Sequence, residues 1–209
     1  MRVYGRVHVP DKRDNQHKLK ARKSKRTRRM WRDDQVWDNQ LREPSCVGHA
    51  WWFLLASQPH TWPFHRKLDP NGLYELCKFR DEYEGEDYEG TSVRAGADVL
   101  KTLGLIKAYE WSWNLDTTVN AVLEKGPVVL GLPWYKGCDE PDRRGVIRAT
   151  GDLLGGHCIL ATGVDTKKEQ FRLKQSWGRG HGDAGHVYLP FADLEAMFIV
   201  DAEACLPIE

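Results

Sequence analysis

No stretch of about 18 apolar residues occurs in the 209-residue chain, so nothing in it reads as a membrane-spanning helix. The N-terminus also lacks the apolar run of a secretory signal, so no export is expected. No CxxC pair occurs among the five cysteines (Cys46, Cys77, Cys138, Cys158 and Cys205), and their odd number leaves at least one thiol unpaired. A reducing compartment fits that usage. His157, Cys158, His181 and His186 do not have the spacing of a compact zinc site, and no metal or cofactor is expected. Internal repeats are missing too, and the only low-complexity tract is a basic one.

That tract dominates the charge distribution. The formal net charge is only +1, but residues 11–32 hold eleven Lys or Arg against two Asp, a net of +9. Arg2 and Arg6 add +2, which leaves −10 for residues 33–209. Residues 1–30 therefore read as a basic arm on an acidic body, and residues 31–209 as one domain. A solvated tail is the plain reading of such an arm. It can also bind nucleic acid or an acidic partner, or dock on its own body beside the cluster Asp81, Glu82, Glu84, Glu86, Asp87 and Glu89. Because the arm has little apolar character, deleting residues 1–30 is expected to leave the body folded.

From Trp31 onward, apolar residues recur in patterned groups. Val47, Ala50, Trp51, Leu54 and Leu55 follow helical spacing behind Ser45, which is placed to cap a helix starting at Cys46. Shorter helical patterns surround Leu73–Cys77, Val93–Leu100 and Val119–Leu123, the last stopped by Gly126-Pro127. After Pro127 the runs Val128–Leu132, Cys158–Val164, Phe171–Lys174 and His186–Leu189 read as strands. Helices first and antiparallel strands afterwards make an α+β domain. Nine tryptophans, clustered at 51–52, 62 and 111–113, point to packing rather than display.

Cys46 at a helix start lies near free N–H groups and the positive end of the helix dipole, which favour a thiolate. Gly155-Gly156-His157 opens an apolar strand, where two glycines allow close backbone approach and the histidine can face a cleft. A cysteine nucleophile needs such a base from elsewhere in the chain. Gln175 ends a strand and can orient the imidazole, with Trp177 shielding that bond from water. Gln40, six residues before Cys46, can offer its amide to an oxyanion. His49, on the helix of Cys46, reads as a core histidine.

The order Gln40…Cys46, Gly156-His157 and Gln175-Ser176-Trp177-Gly178 resembles the papain family of cysteine peptidases over roughly Trp31–Leu206. The segment from Gly90 to Gly104 is similar to the bacterial and bacteriophage branch. The resemblance implies a two-lobed fold with a helical lobe, a β lobe and a cleft between them. It also implies peptide-bond hydrolysis through an acyl-enzyme, with Cys46, His157, Gln175 and Gln40 catalytic and Gly155, Gly156 and Trp177 contacting a peptide substrate. A cytoplasmic or virion-associated setting accords with it. Gln175 stands where the family usually has asparagine, and Val47 where tryptophan commonly follows the nucleophile. A propeptide of the usual length and the disulfides of secreted members are not expected. The other readings are a peptidoglycan stem-peptide hydrolase, a non-catalytic module of a virion or other complex, and a nucleic-acid binder working through the arm.

Overall fold

The computed structural model describes residues 2–8, 10–33, 35–60, 67–81, 83 and 88–208. Trp62 and the cluster members Glu82, Glu84, Glu86 and Asp87 lie outside the described residues. In chain order the elements are β1 (Arg28–Met30), α1 (Cys46–Leu55), α2 (Pro70–Arg80), α3 (Val93–Thr102), β2 (Ala108–Ser112), α4 (Leu115–Glu124) and β3 (Val128–Tyr135). There follow the single turn α5 (Lys136–Asp139), then β4 (Leu153–Asp165), β5 (Gln170–Lys174), β6 (His186–Pro190), α6 (Phe191–Val200) and β7 (Glu203–Ile208). The strands form one antiparallel sheet in the order β2-β7-β3-β4-β5-β6, with β1 also pairing with β4. The class is α+β, as expected. β1 and β2 show that the first half is not purely helical. Among the described residues no helix is long and apolar enough to cross a membrane.

Helix starts follow local chemistry. The side chains of Asp69, Ser92 and Asn114 accept from the N–H groups of Gly72, Ala95 and Thr117 and so cap α2, α3 and α4. Ser45 departs from expectation: it makes no side-chain cap, and its hydroxyl lies 3.3 Å from His49 Nδ1 instead. The start of α1 therefore has no side-chain cap from Ser45, and the Val47 N–H favours the Cys46 thiolate.

β4 is the wall shared by two cores. Because successive side chains alternate along a strand, Cys158 and Leu160 join the core with α1 and α3, while Ile159 and Ala161 join the one with α4 and α6. The strand enters that wall through Gly155-Gly156-His157, where the two cores part.

The arm is not a solvated tail. Leu19 is buried, and its N–H donates to the Trp111 carbonyl at 2.7 Å; Met30 lies in β1; and Ser24 N–H donates to Asn120 Oδ1 at 2.6 Å. Arg6 is fully sequestered, with Nε and Nη2 donating to Glu203 Oε1 at 3.1 and 2.9 Å, Nη2 to the Asp201 carbonyl at 2.6 Å and Nη1 to Asp201 Oδ2 at 3.1 Å. Asp14 is buried against Arg94. The arm does dock on its own body, through Glu203 and Asp201; of the described members of the acidic cluster, Asp81 accepts from Tyr88 and Thr91. Removing residues 1–30 would take away a strand, a core leucine and the counter-charge of a buried carboxylate. Its expected effect is destabilisation, the reverse of what the arm's polarity suggested.

Candidate active site

Cys46 opens α1 and is completely buried. Its sulfur accepts from the Cys158 N–H at 3.4 Å, so the chain step after His157 on β4 touches the first residue of α1. His157 is equally buried, and its Nε2 lies 3.1 Å from Gln175 Oε1. Gln175 Oε1 also accepts from the Ser176 N–H at 3.3 Å, which fixes the amide with its oxygen toward the ring. Glutamine, one methylene longer than asparagine, thus makes the bond expected of it. Nδ1 of His157 has no hydrogen-bond partner among the described residues.

Gln40 reaches the same place because residues 38–40 run beside 176–178: Gln40 N–H donates to the Ser176 carbonyl at 2.9 Å, and Gly178 N–H to the Asp38 carbonyl at 2.9 Å. Ser176 Oγ donates to Gln40 Oε1 at 2.6 Å, so the amide nitrogen faces the other way. That nitrogen donates to the Glu43 carbonyl at 2.8 Å and to the Val3 carbonyl at 3.1 Å. A backbone carbonyl of the arm therefore sits on the donor assigned to an oxyanion.

The rest of segment 2–8 continues across the cleft. The Gly5 N–H lies near enough to the Cys46 sulfur to favour its thiolate. Arg6 N–H donates to the Gly156 carbonyl at 2.9 Å, while Val7 and Thr91 N–H groups pair with the Thr91 and Gly5 carbonyls at 2.9 and 2.8 Å. Two glycines make the approach feasible. A Cβ on Gly156 would come within 2.2 Å of the Arg6 carbonyl oxygen, and one on Gly5 within 1.7 Å of the Pro44 oxygen.

Burial sets the protonation states. It pushes the Cys46 thiol up to about 11, against the opposing N–H groups of Cys158, Gly5 and Val47. It pulls His157 down to about 4, against the Gln175 bond. The helix-start position was expected to favour a thiolate. Under the arm, desolvation outweighs the helix start: burial favours a neutral thiol and a neutral imidazole, and among the described residues no hydrogen bond joins Cys46 to His157.

Aromatic rings enclose His157. Trp177 stacks on it at 5.0 Å with 29° between planes, Trp134 meets it edge-on at 4.6 Å, and Tyr4 of the arm at 6.1 Å. Trp177 thus covers one face of the ring that Gln175 holds. His49 lies apart from this constellation, its Nδ1 2.9 Å from the Ser45 carbonyl and its Nε2 3.4 Å from Asp38 Oδ2. Trp134, Asp139, Arg2 and Tyr4 were missed from sequence. Trp134 and Asp139 follow no spacing rule, and Arg2 and Tyr4 sit in a stretch whose polarity reads as solvated. The Gly5 position was the one available signal, a glycine where a chain must pass close to another.

No family model matches the chain, and no curated protein matches it by sequence. Solved structures do resemble it in three dimensions. Xylellain, a cysteine protease from Xylella fastidiosa, superposes with a TM-score of 0.74 at 18% identity, over 98% of this chain and 95% of that one. The bromelain protease of Ananas comosus, solved with the E64 inhibitor, gives 0.62 at 17% identity over 88% of this chain and 99% of that one. Digestive procathepsin L 3 of Tenebrio molitor gives 0.62 at 15% identity over 92% and 74%. The chain has the papain-like α+β fold that these cysteine proteases share.

Proposed function

We propose that the chain is a cysteine-type peptidase of the bacterial and bacteriophage branch, held covered by residues 2–8 of its own arm. In this reading Cys46 is the nucleophile and His157 the general base, with Gln175 fixing the imidazole tautomer that leaves Nδ1 for the thiol. The sulfur, having given its proton to His157, attacks a substrate carbonyl carbon. The developing oxyanion takes the Gln40 Nε2 donor and the Cys46 N–H. The imidazolium then protonates the leaving amine, and water, deprotonated by the same imidazole, releases the acid from the thioester.

One observation carries the reading: a peptide backbone already lies in the cleft, with a carbonyl on Gln40 and its next segment between Cys46 and Gly156. The likeness to proteases, one of them solved with an inhibitor bound, supports the same class. A non-catalytic module draws its support from the lack, among the described residues, of a hydrogen bond between Cys46 and His157. The exposed Lys20, Arg22, Lys23, Lys25 and Arg26 are the part of the arm left for an acidic partner or nucleic acid, through contacts that salt would weaken.

Labelling with an epoxide-type cysteine-peptidase probe, followed by mapping of the modified residue, tests the reading. With the arm displaced, Cys46 alone is expected to react; a probe carried by another cysteine, or by none, would end it. Turnover should fall about tenfold in Gln175→Ala and stay near wild type in Gln175→Asn, since orientation is one contribution among several. Abolished turnover in the asparagine variant would contradict the role given to the amide oxygen.

A further inference from the structure

Arg2, the first described residue of the arm, lies on Trp177, the ring that also stacks on His157. Its guanidinium carbon stands 4.0 Å from the centre of the Trp177 ring. Nη1 donates to the Asp139 carbonyl at 2.7 Å and lies 3.6 Å from the Asp139 carboxylate, and Nη2 is 3.2 Å from His181 Nδ1. The carboxylate is held in place for this: Trp134 Nε1 donates to its Oδ1 at 2.8 Å and the Tyr4 hydroxyl to its Oδ2 at 2.7 Å. Around Arg2 opens a recess of about 940 Å³, lined on the body by Asn39, Leu41, Arg42, Glu43, Asp139 and Glu140. Three carboxylates against one arginine make its walls acidic.

We infer that this recess is a substrate subsite for a basic side chain, arginine above lysine, with Trp177 and Asp139 as its specificity-determining residues. The inference rests on the peptidase reading and adds the substrate class. The same imidazole that hands its proton to the leaving amine is stacked on Trp177, so a side chain beyond that ring belongs to the leaving-group half of the substrate. A planar guanidinium both lies flat on an indole and donates in two directions from one edge, whereas an ammonium offers neither match. When the arm lifts, Tyr4 leaves Asp139 Oδ2, and the carboxylate is freed for an incoming cation. Arg2 occupies the place as a stand-in from the protein's own chain.

The test uses the full chain and begins with alkylation of Cys46 by iodoacetamide in wild type, Arg2→Ala, Arg2→Lys, Asp139→Asn and the Arg2→Ala/Asp139→Asn double variant, with thermal melting as the check on folding. Arg2→Ala is expected to label about tenfold faster than wild type, Arg2→Lys in between, and the double variant faster by less than the product of the two single effects, because both changes remove the Arg2–Asp139 ion pair while each also removes contacts of its own. Labelling of Arg2→Ala at the wild-type rate would overturn the subsite. The opened Arg2→Ala chain is then given quenched peptides carrying Arg, Lys, Ala or Glu at each position within three residues of the scissile bond. Arginine on the leaving-group side should raise kcat/KM about tenfold over alanine, and Asp139→Asn should erase most of that preference. Cleavage indifferent to arginine there would overturn the subsite while leaving the peptidase reading intact. If Cys46 labels but no peptide is cut, the peptidase reading falls, and the recess as a cation site is decided by the coupling of Arg2 to Asp139 alone.

Discussion

Arg6→Ala is expected to raise the alkylation rate of Cys46 at pH 7 about a hundredfold or more. Arg6 is the arm's deepest anchor, and its removal leaves the Glu203 carboxylate, 6% exposed, with His8 Nδ1 at 3.3 Å as its remaining basic neighbour. Breaking a buried ion pair in this way costs about 3–5 kcal/mol. The least costly relief is for segment 2–8 to lift and admit water, since those residues are held by backbone hydrogen bonds, by Arg2 and Tyr4 at Asp139 and by Arg6 itself. At about 1.4 kcal/mol per tenfold, even half that loss moves the open fraction by one to two decades. Solvation adds to this. A thiol at about 11 has roughly one part in ten thousand as thiolate at pH 7, and rehydration returns it toward the ordinary range.

The pH profile follows from the same shift. Because the thiolate is the reactive form and its pKa is raised, wild-type labelling should climb about tenfold per pH unit from 7 to near 11, whereas the Arg6→Ala profile should level off at lower pH. Arg6→Lys should fall between them, keeping the charge but losing the fork on Glu203. Labelling of Arg6→Ala no faster than wild type would show that the arm does not govern access to Cys46.

The sequence revealed the body better than the arm, for physical reasons. α1 and β4 were legible because Cys46–Leu55 and Cys158–Val164 carry strong local patterns that tertiary packing did not need to override. Helix α6 and strand β7 escaped notice. Phe191–Val200 leaves Phe198 only partly buried and exposes Ile199 and Val200, so its periodicity is blunt, and Glu203–Ile208 is a strand by virtue of partners β2 and β3 far back in the chain. The candidate residues Cys46, His157, Gln175, Gln40 and Trp177 were legible as types at plausible positions. Their electrostatics were not. The thiol's upward shift comes from burial, which outweighs the lowering by the N–H groups of Cys158, Gly5 and Val47, and the docking of the arm across the cleft depends on an Arg6–Glu203 contact spanning 197 residues. No local rule reaches so far.

In the opened Arg6→Ala chain, His157→Ala is expected to cut peptide hydrolysis by about a thousandfold or more. It should also return Cys46 alkylation at neutral pH to that of an ordinary free thiol. In the proposed mechanism the imidazole has two tasks, taking the thiol proton and giving it to the leaving amine, and general acid–base transfer of this kind is worth about 10²–10⁴ in rate. Gln175 Oε1 occupies Nε2, so the ring nitrogen left over is Nδ1, which has no partner among the described residues, and Trp177 stacks on the ring. His49→Ala provides the contrast. That ring is fully buried against Ser45, Asp38 and Phe53, so its loss should lower the melting temperature and leave the Cys46 alkylation rate of the opened chain unchanged. If alkylation instead followed His49 and ignored His157, the thiol would be tuned from within its own helix, and the role given to β4 in bringing base to nucleophile would be wrong.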